Sequence, residues 1–312
     1  MAATGKARAA GMLTFTTLAW VAMFAVAKGA LGSLDAFWLS AWRYVPASLV
    51  MLAVLWAVEG RRALLAQGAA AKLWLYGSVG FAGFSILGFL GLSQSRPEHA
   101  AIIVALMPLV TALMNWLVRG RRPGAVTLAA TLVALVGVVL VITKGQLHRA
   151  AGGTLHADAL VLAGVVSWVI YTMGASYVPG FSALRYTAQS MAFGTVTILA
   201  VALVATAFGV AHPPAWNGVA PLAGEIAYLS IVAGVLAVLA WNAGIGILGP
   251  ANGVLFINLV PITAFAIGVA QGHRFGASEI VGVVLVVGAL VASNLAGRGW
   301  PGRKLASAPK FA

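Results

Sequence analysis

Carboxylates are what this 312-residue chain has least of: six Asp and Glu stand against 19 Lys and Arg. Charged residues make up only 8% of the chain, where a soluble domain carries about 25%. A soluble fold of this length needs a charged surface, and there is too little charge here to build one. Cysteine is absent, which excludes disulfides, thiolate nucleophiles and thiolate metal sites. Apolar residues fill the gap, at 62%, together with 37 glycines, as packed membrane helices permit. The composition is that of a polytopic membrane protein.

The acids that exist are also missing from one place. Asp35, Glu59, Glu98, Asp158, Glu225 and Glu279 all fall in loops or at the ends of apolar runs. None sits mid-membrane, where a proton-coupled cation pump would place one. There is no HExxH helix, P-loop or paired intramembrane aspartate, so the chain is expected not to be an enzyme and to need no cofactor or metal.

A crossing helix takes roughly 20 apolar residues, and ten such spans can be drawn. They run about 11–29, 37–58, 72–92, 98–118, 124–143, 157–177, 185–209, 226–248, 251–270 and 277–296. Lys6 and Arg8 before the first run give it the look of a signal peptide. Its repeat partner lies mid-chain, so it is read as a span. With the N terminus inside, 13 basic residues fall on the inner face, and Lys28, Arg43, Arg96, Lys144, Arg149 and Arg274 fall outside. That bias puts both termini in the cytoplasm. The net charge of +13 is then explained by the anionic inner leaflet rather than by nucleic acid. The longest connections, near 59–71, 144–156 and 210–225, leave no room for a soluble domain. The stretch holding His212, Pro213, Pro214 and Pro221 is expected to be a stiff loop.

One motif occurs twice. Residues 97–112 read PEHAAIIVALMPLVTA and residues 250–265 read PANGVLFINLVPITAF. In each a proline opens an apolar run, and a second follows eleven residues later, at Pro108 and Pro261. The opening proline has no helical hydrogen bond to lose; the inner one removes a bond and clashes with the preceding turn, so each helix is expected to hinge there. Other landmarks repeat: Trp20 in LAWVAMF and Trp168 in VSWVIYT, Arg43–Tyr44 and Arg185–Tyr186, GRRPG from Gly120 and GHRFG from Gly272. The chain thus divides into a short N-terminal segment (1–10), a first five-helix repeat (11–146), a second (147–297) and a basic tail (298–312). Five is odd, so the second copy crosses in the opposite sense. The expected fold is all-α, ten transmembrane helices as two inverted five-helix repeats. Interrupted segments at matching places of two repeats point to a transporter's binding site.

Trp in the first span, Arg–aromatic in the second, and a small-residue helix with a central proline before a G-x-R turn together resemble the EamA type of the drug/metabolite transporter superfamily. Within it, the chain looks most like ten-helix bacterial amino-acid exporters of the YddG type. That resemblance implies export of aromatic and other neutral amino acids across the bacterial inner membrane. One departure is that many members carry Glu in the G-E-R turn, whereas this chain has Arg121 and His273 there.

Candidate substrate-binding residues follow. Trp20 and Trp168 lie mid-span at matching positions, with Phe24 and Tyr171 a turn away. Such rings stack on flat or cationic groups, but they also pack in ordinary cores. Ser78, Ser85, Asn115, Asn242 and Asn258 are polar at depth, suited either to a ligand or to interhelical hydrogen bonds. Glu98 suits a helix N-terminus, and His99 is of the residue type that senses or relays protons. Arg43 has two readings, a partner for a substrate carboxylate or a snorkelling anchor; Arg185, at the start of its own span, favours the anchor. The expected molecule is a monomeric exporter of a small neutral or aromatic metabolite, amino acids first, working by uniport or exchange. A drug or lipophilic-cation exporter is the alternative, and a non-transporting membrane scaffold a further one.

Overall fold

A computed structural model describes residues 2–120, 122–145, 155–249 and 253–298. Arg121, Pro250, Ala251, Asn252 and the tail beyond Arg298 lie outside these residues. The helices are α1 (Ala2–Ala30), α2 (Ala36–Glu59), α3 (Ala70–Gln94), α4 (Pro97–Ala105), α5 (Met107–Arg119) and α6 (Ala125–Thr143). Then come α7 (Leu155–Gly174), α8 (Ala183–Ala207), α9 (Trp216–Leu248), α10 (Leu259–Ala270) and α11 (Ala277–Arg298). Among the described residues seven helices are long and apolar enough to cross a bilayer, or eight with the bent pair α4–α5 as one span. Two shorter apolar helices, Phe256–Ala270 and Ala277–Ser293, lie where the ninth and tenth expected spans fall. The protein is an all-α polytopic membrane protein.

Two boundaries differ from expectation. Helix α1 starts well before residue 11, and α9 starts at Trp216 rather than near 226. Pro221 does not break α9, because it sits at the first positions of a 3-10 turn, Ala220–Leu222, where a missing N–H costs nothing.

Four interruptions shape the interior. The α4–α5 axis bends by 45° at Leu106, where the bonds tighten to Leu106 N to Ile103 O and Leu109 N to Leu106 O. Pro108 lies in the first turn of α5, as a proline that cannot continue the previous helix should. In the second half a 3-10 turn, Val254–Asn258, gives way to α10, with Pro261 in its first turn. The other two are π-helical stretches, Ser78–Gly83 within α3 and Tyr228–Leu236 within α9. Each half therefore carries one proline-associated break and one π stretch.

Helices pair across the halves: α1 with α9, α3 with α7, α2 with α8, α4 with α10 and α6 with α11. Small residues permit the approach. A Cβ on Gly137 of α6 would stand 2.6 Å from Gly282 O of α11, and one on Gly282 would stand 2.5 Å from Gly137 O. Gly91 of α3 meets Ala157 O and Val161 of α7, while Gly244 of α9 meets Ala9 O and Leu13 of α1. The spacing that carries Trp20 onto Trp168 also carries Ala9 and Leu13 onto Ala157 and Val161. The same contact is built twice. Outward faces of α6 and α11, with Leu132, Val136, Val281 and Val284 exposed, are the apolar surface that lipid covers.

Gly282→Leu is expected to lower the thermal midpoint in detergent, with a cost of about 1–3 kcal/mol for the forced separation of α6 and α11. Gly246→Ala, where a Cβ meets nothing within 4 Å, should leave the midpoint unchanged or raise it. Circular-dichroism melts of the two variants check this; a Gly282→Leu melt equal to wild type contradicts the packing argument.

Candidate functional site

All four interruptions converge on one cavity. The π stretch of α3 contributes Phe81, with Phe84 just beyond it, and that of α9 contributes Ala233 and Gly234. The break between α4 and α5 contributes Val104 and Met107, and the 3-10-to-α10 junction contributes Ile257 and Val260. Trp20, Met23 and Phe24 of α1 and Trp168 of α7 close the walls. The cavity lies between two hydrophobic clusters: Trp20 packs on one and Trp168 on the other.

Irregular helix frees backbone carbonyls, which in a membrane must find donors inside the protein. Helix α1 supplies them. Trp20 Nε1 donates to Ala233 O at 3.2 Å, Thr16 Oγ1 to Ala237 O at 2.9 Å, and Thr17 Oγ1 to Phe256 O at 3.2 Å. Trp20 thus holds the irregular backbone of α9 with its ring edge and lines the cavity beside Trp241, 5.4 Å away. On the other side Trp168 sits in an aromatic group, 5.5 Å from Phe81 and Phe84 and 4.9 Å from Tyr171.

Of the residues singled out from the sequence, Trp20, Phe24 and Trp168 line the cavity. Tyr171 stands behind Trp168, stacked on Tyr186 at 5.1 Å, whose hydroxyl donates to Tyr171 O. Ser78 is an interhelical clamp, 2.6 Å from Thr197 Oγ1, and Ser85 donates to Ser40 Oγ at 2.8 Å. Asn115 bonds its own helix at Thr111 O. Asn242 is half-buried on α9, and Asn258 is buried at the 3-10 junction; neither lines the cavity.

Arg43 does line it. Rather than snorkelling it is 4% exposed, and its Nε and Nη1 have no hydrogen-bond partner. Its guanidinium lies 4.7 Å from the Tyr44 ring centre and 5.6 Å from that of Phe89. Arg185, its repeat equivalent, is housed differently: Nη2 donates to Leu65 O at 2.7 Å, and the group stacks 4.0 Å over Phe181. A cation inside a span is disfavoured by about 3 kcal/mol on insertion scales, so an unpaired one has to be accounted for.

His99 and Glu98 belong to a separate polar cluster at one end of the bundle. Glu98 is buried, 2.6 Å from His273 Nδ1 and 3.6 Å from Arg96 Nε. Arg96 Nη1 donates to Glu279 Oε1 at 3.2 Å. His99 Nδ1 lies 3.6 Å from Asp158, which also accepts from Ser95 Oγ. Lys28 Nζ donates to Leu92 O and Ser93 O. Glu98 therefore does more than face a helix dipole: it pairs with His273 in the turn after α10. These contacts join the ends of α1, α3, α4, α7 and α11 and the turn after α10. Among the described residues, no group of three or more His, Asp or Glu could hold a metal ion.

Sequence reasoning missed Tyr44, Phe81, Phe84, Met107 and Met191 as lining residues. The signal for two of them was glycine. In GSVGFAGFS, a Cβ on Gly80 would collide with Tyr171 at 2.4 Å, so the run marks where α7 presses on the π stretch and turns Phe81 and Phe84 inward.

A family model, the EamA-like transporter family, matches residues 8–143 and again 155–295. The chain belongs to the EamA-like transporter family. It is 33% identical over 284 residues to the uncharacterized transporter YrdR of Bacillus subtilis (strain 168), covering 89% of this chain and 88% of that one. The uncharacterized transporter YyaM of the same organism is 30% identical, covering 88% and 90%. An uncharacterized transporter of Archaeoglobus fulgidus is 28% identical, covering 80% and 84%. A solved crystal structure superposes with a TM-score of 0.63 over 92% of this chain and 96% of that one, at 22% identity; it shares the fold. This EamA-like chain is a membrane transporter rather than an enzyme, and a small-molecule substrate goes with that.

Because the EamA-like chain has no cysteine, single cysteines report on access. Val104→Cys and Val238→Cys, in the cavity wall, are expected to react with a water-soluble maleimide at least about tenfold faster than Leu290→Cys, which is fully buried elsewhere. Equal rates at all three would mean that the cavity is closed to water from both sides.

Proposed function

We propose that this transporter exports small apolar or aromatic metabolites, with amino acids as the first class to test, across the bacterial inner membrane by alternating access. The observation that carries the reading is the cavity itself. It lies where the two halves meet, at all four helix interruptions, between Trp20 and Trp168. Such a wall offers flat, apolar surface to a ring or branched side chain. The breaks at Leu106–Pro108 and Asn258–Pro261 are hinges on which half-helices swing. The polar cluster of Glu98, His273, Arg96, Glu279, His99 and Asp158 is the latch released when that end opens. With each repeat spanning five times, the halves are inverted and exchange roles between the two open states. Both termini are cytoplasmic, and the unit of transport is the monomer.

Two observations weigh against a lipophilic cation. No carboxylate lines the cavity, and Arg43 places positive charge in its wall. Transport proceeds by uniport or exchange, since no acid sits at depth beside the cavity to carry a coupling proton.

Purified protein in liposomes is expected to release preloaded phenylalanine or leucine faster than empty vesicles do. Trp20→Ala and Trp168→Ala should each cut that rate by about tenfold or more, through lost stacking surface. Trp56→Ala, at an exposed position, should leave it within about twofold. Flux no greater than in empty vesicles for every neutral metabolite in a panel of amino acids, cations and sugars would falsify the reading.

A further inference from the structure

We infer that Arg43 is an anion anchor in the cavity, and that the substrates bound most tightly are apolar or aromatic monocarboxylates lacking an ammonium group. The inference rests on the transport reading of this cavity and narrows its substrate class.

The geometry is unusual for a structural arginine. Arg43 is 4% exposed and lines the cavity, and its Nε and Nη1 are buried without a partner. No ion pair to it occurs among the described residues. The guanidinium lies over the ring faces of Tyr44 and Phe89; they attract the charge but accept none of its N–H bonds in the plane of the group. A buried cation without an acceptor is costly, and the rest of the wall is mainly aromatic and aliphatic, with the Tyr44 hydroxyl and the indole N–H groups as its other polar atoms. The contrast with Arg185 sharpens this. The same residue in the other repeat places Nη2 on a backbone carbonyl and its plane on Phe181. Arg185 keeps its Nε unpaired but has an acceptor at Nη2, whereas Nε and Nη1 of Arg43 both lack one.

A carboxylate in the cavity supplies what is missing. Its two oxygens match the fork of the guanidinium, and the pair together is neutral, so the low-dielectric site holds no net charge. An amino acid brings the same carboxylate but adds an ammonium. No carboxylate lines the cavity to meet it, and Ala233 O already accepts from Trp20. The complex would then carry one net positive charge in an apolar enclosure. An amine alone would place two cations there. An uncharged amide would leave the guanidinium still seeking an anion. The order of binding follows: acid first, then zwitterion and amide, amine last.

Four probes of one shape separate these cases: 3-phenylpropionate, phenylalanine, 3-phenylpropionamide and phenethylamine. Calorimetry on the full chain in detergent at neutral pH is expected to show 3-phenylpropionate bound at least about tenfold more tightly than the amide, as a charge-assisted bond provides, and more tightly than phenylalanine. In Arg43→Gln the preference for the acid over the amide should collapse to within about twofold, while a cooperative thermal melt confirms that the variant is folded. Arg43→Lys should retain part of the preference. Three results overturn the inference: the amide or phenylalanine binding as tightly as the acid, Arg43→Gln weakening all four probes equally, or no binding of any probe. The transport reading fails separately, on absence of flux in liposomes, so the two failures can be told apart.

Discussion

In hydrocarbon, each backbone carbonyl that a helix releases must be given a donor by the protein, and the architecture depends on that requirement. A bilayer-spanning helix without interruption leaves nothing unsatisfied but also forms no pocket. Here the π stretches and proline-associated breaks open space between the halves, and α1 offsets their cost with Thr16, Thr17 and Trp20. One side chain, Trp20, both holds the irregular backbone and walls the space that the irregularity creates. Positions that look like substrate contacts are therefore also structural, and their two roles are inseparable in a single truncation.

The second organising fact is the duplicated contact between halves. Glycine-mediated approaches occur at matching places, Gly91 on α7 and Gly244 on α1, and reciprocally between Gly137 and Gly282. Each half is thus packed against the other through the same surfaces used twice. Differences between the copies then stand out. Arg43 faces the cavity while Arg185 is bound to a loop carbonyl. The polar cluster around Glu98 lies at one end, and it draws on acids and histidines that the repeat does not duplicate. Symmetry supplies the frame, and Arg43 and the polar cluster depart from it.

Much of this was legible in the sequence. Helices were visible because apolar runs of membrane length have few alternative fates, and Pro108 announced its break because proline cannot donate. The matched tryptophans Trp20 and Trp168 emerged from internal repetition alone. Less was legible in the site. Ser78, Ser85, Asn115, Asn242 and Asn258 were picked for polarity at depth, yet in a membrane a polar side chain is as readily used to tie helices, as Ser78 does with Thr197. Phe81, Phe84 and Met107 line the cavity with no chemical mark to set them apart from core residues. Whether a phenylalanine faces a cavity or a neighbour depends on a local π or 3-10 turn, which propensity does not reveal. Arg43 was noticed but weighed by its equivalent, and the two turned out to sit in different surroundings.

The central claim is that two inverted halves exchange access to one cavity, and distances at the two ends of the bundle test it most directly. Gln94 and Gln271 are exposed at the end that holds the polar cluster; Ile247 and Val118 are their repeat equivalents at the other. Spin labels on each pair, measured by pulsed electron resonance in nanodiscs with and without transported substrate, should change in opposite senses, one distance lengthening as the other shortens. Two distances that move together, or that stay fixed at both ends while flux is under way, would contradict the account.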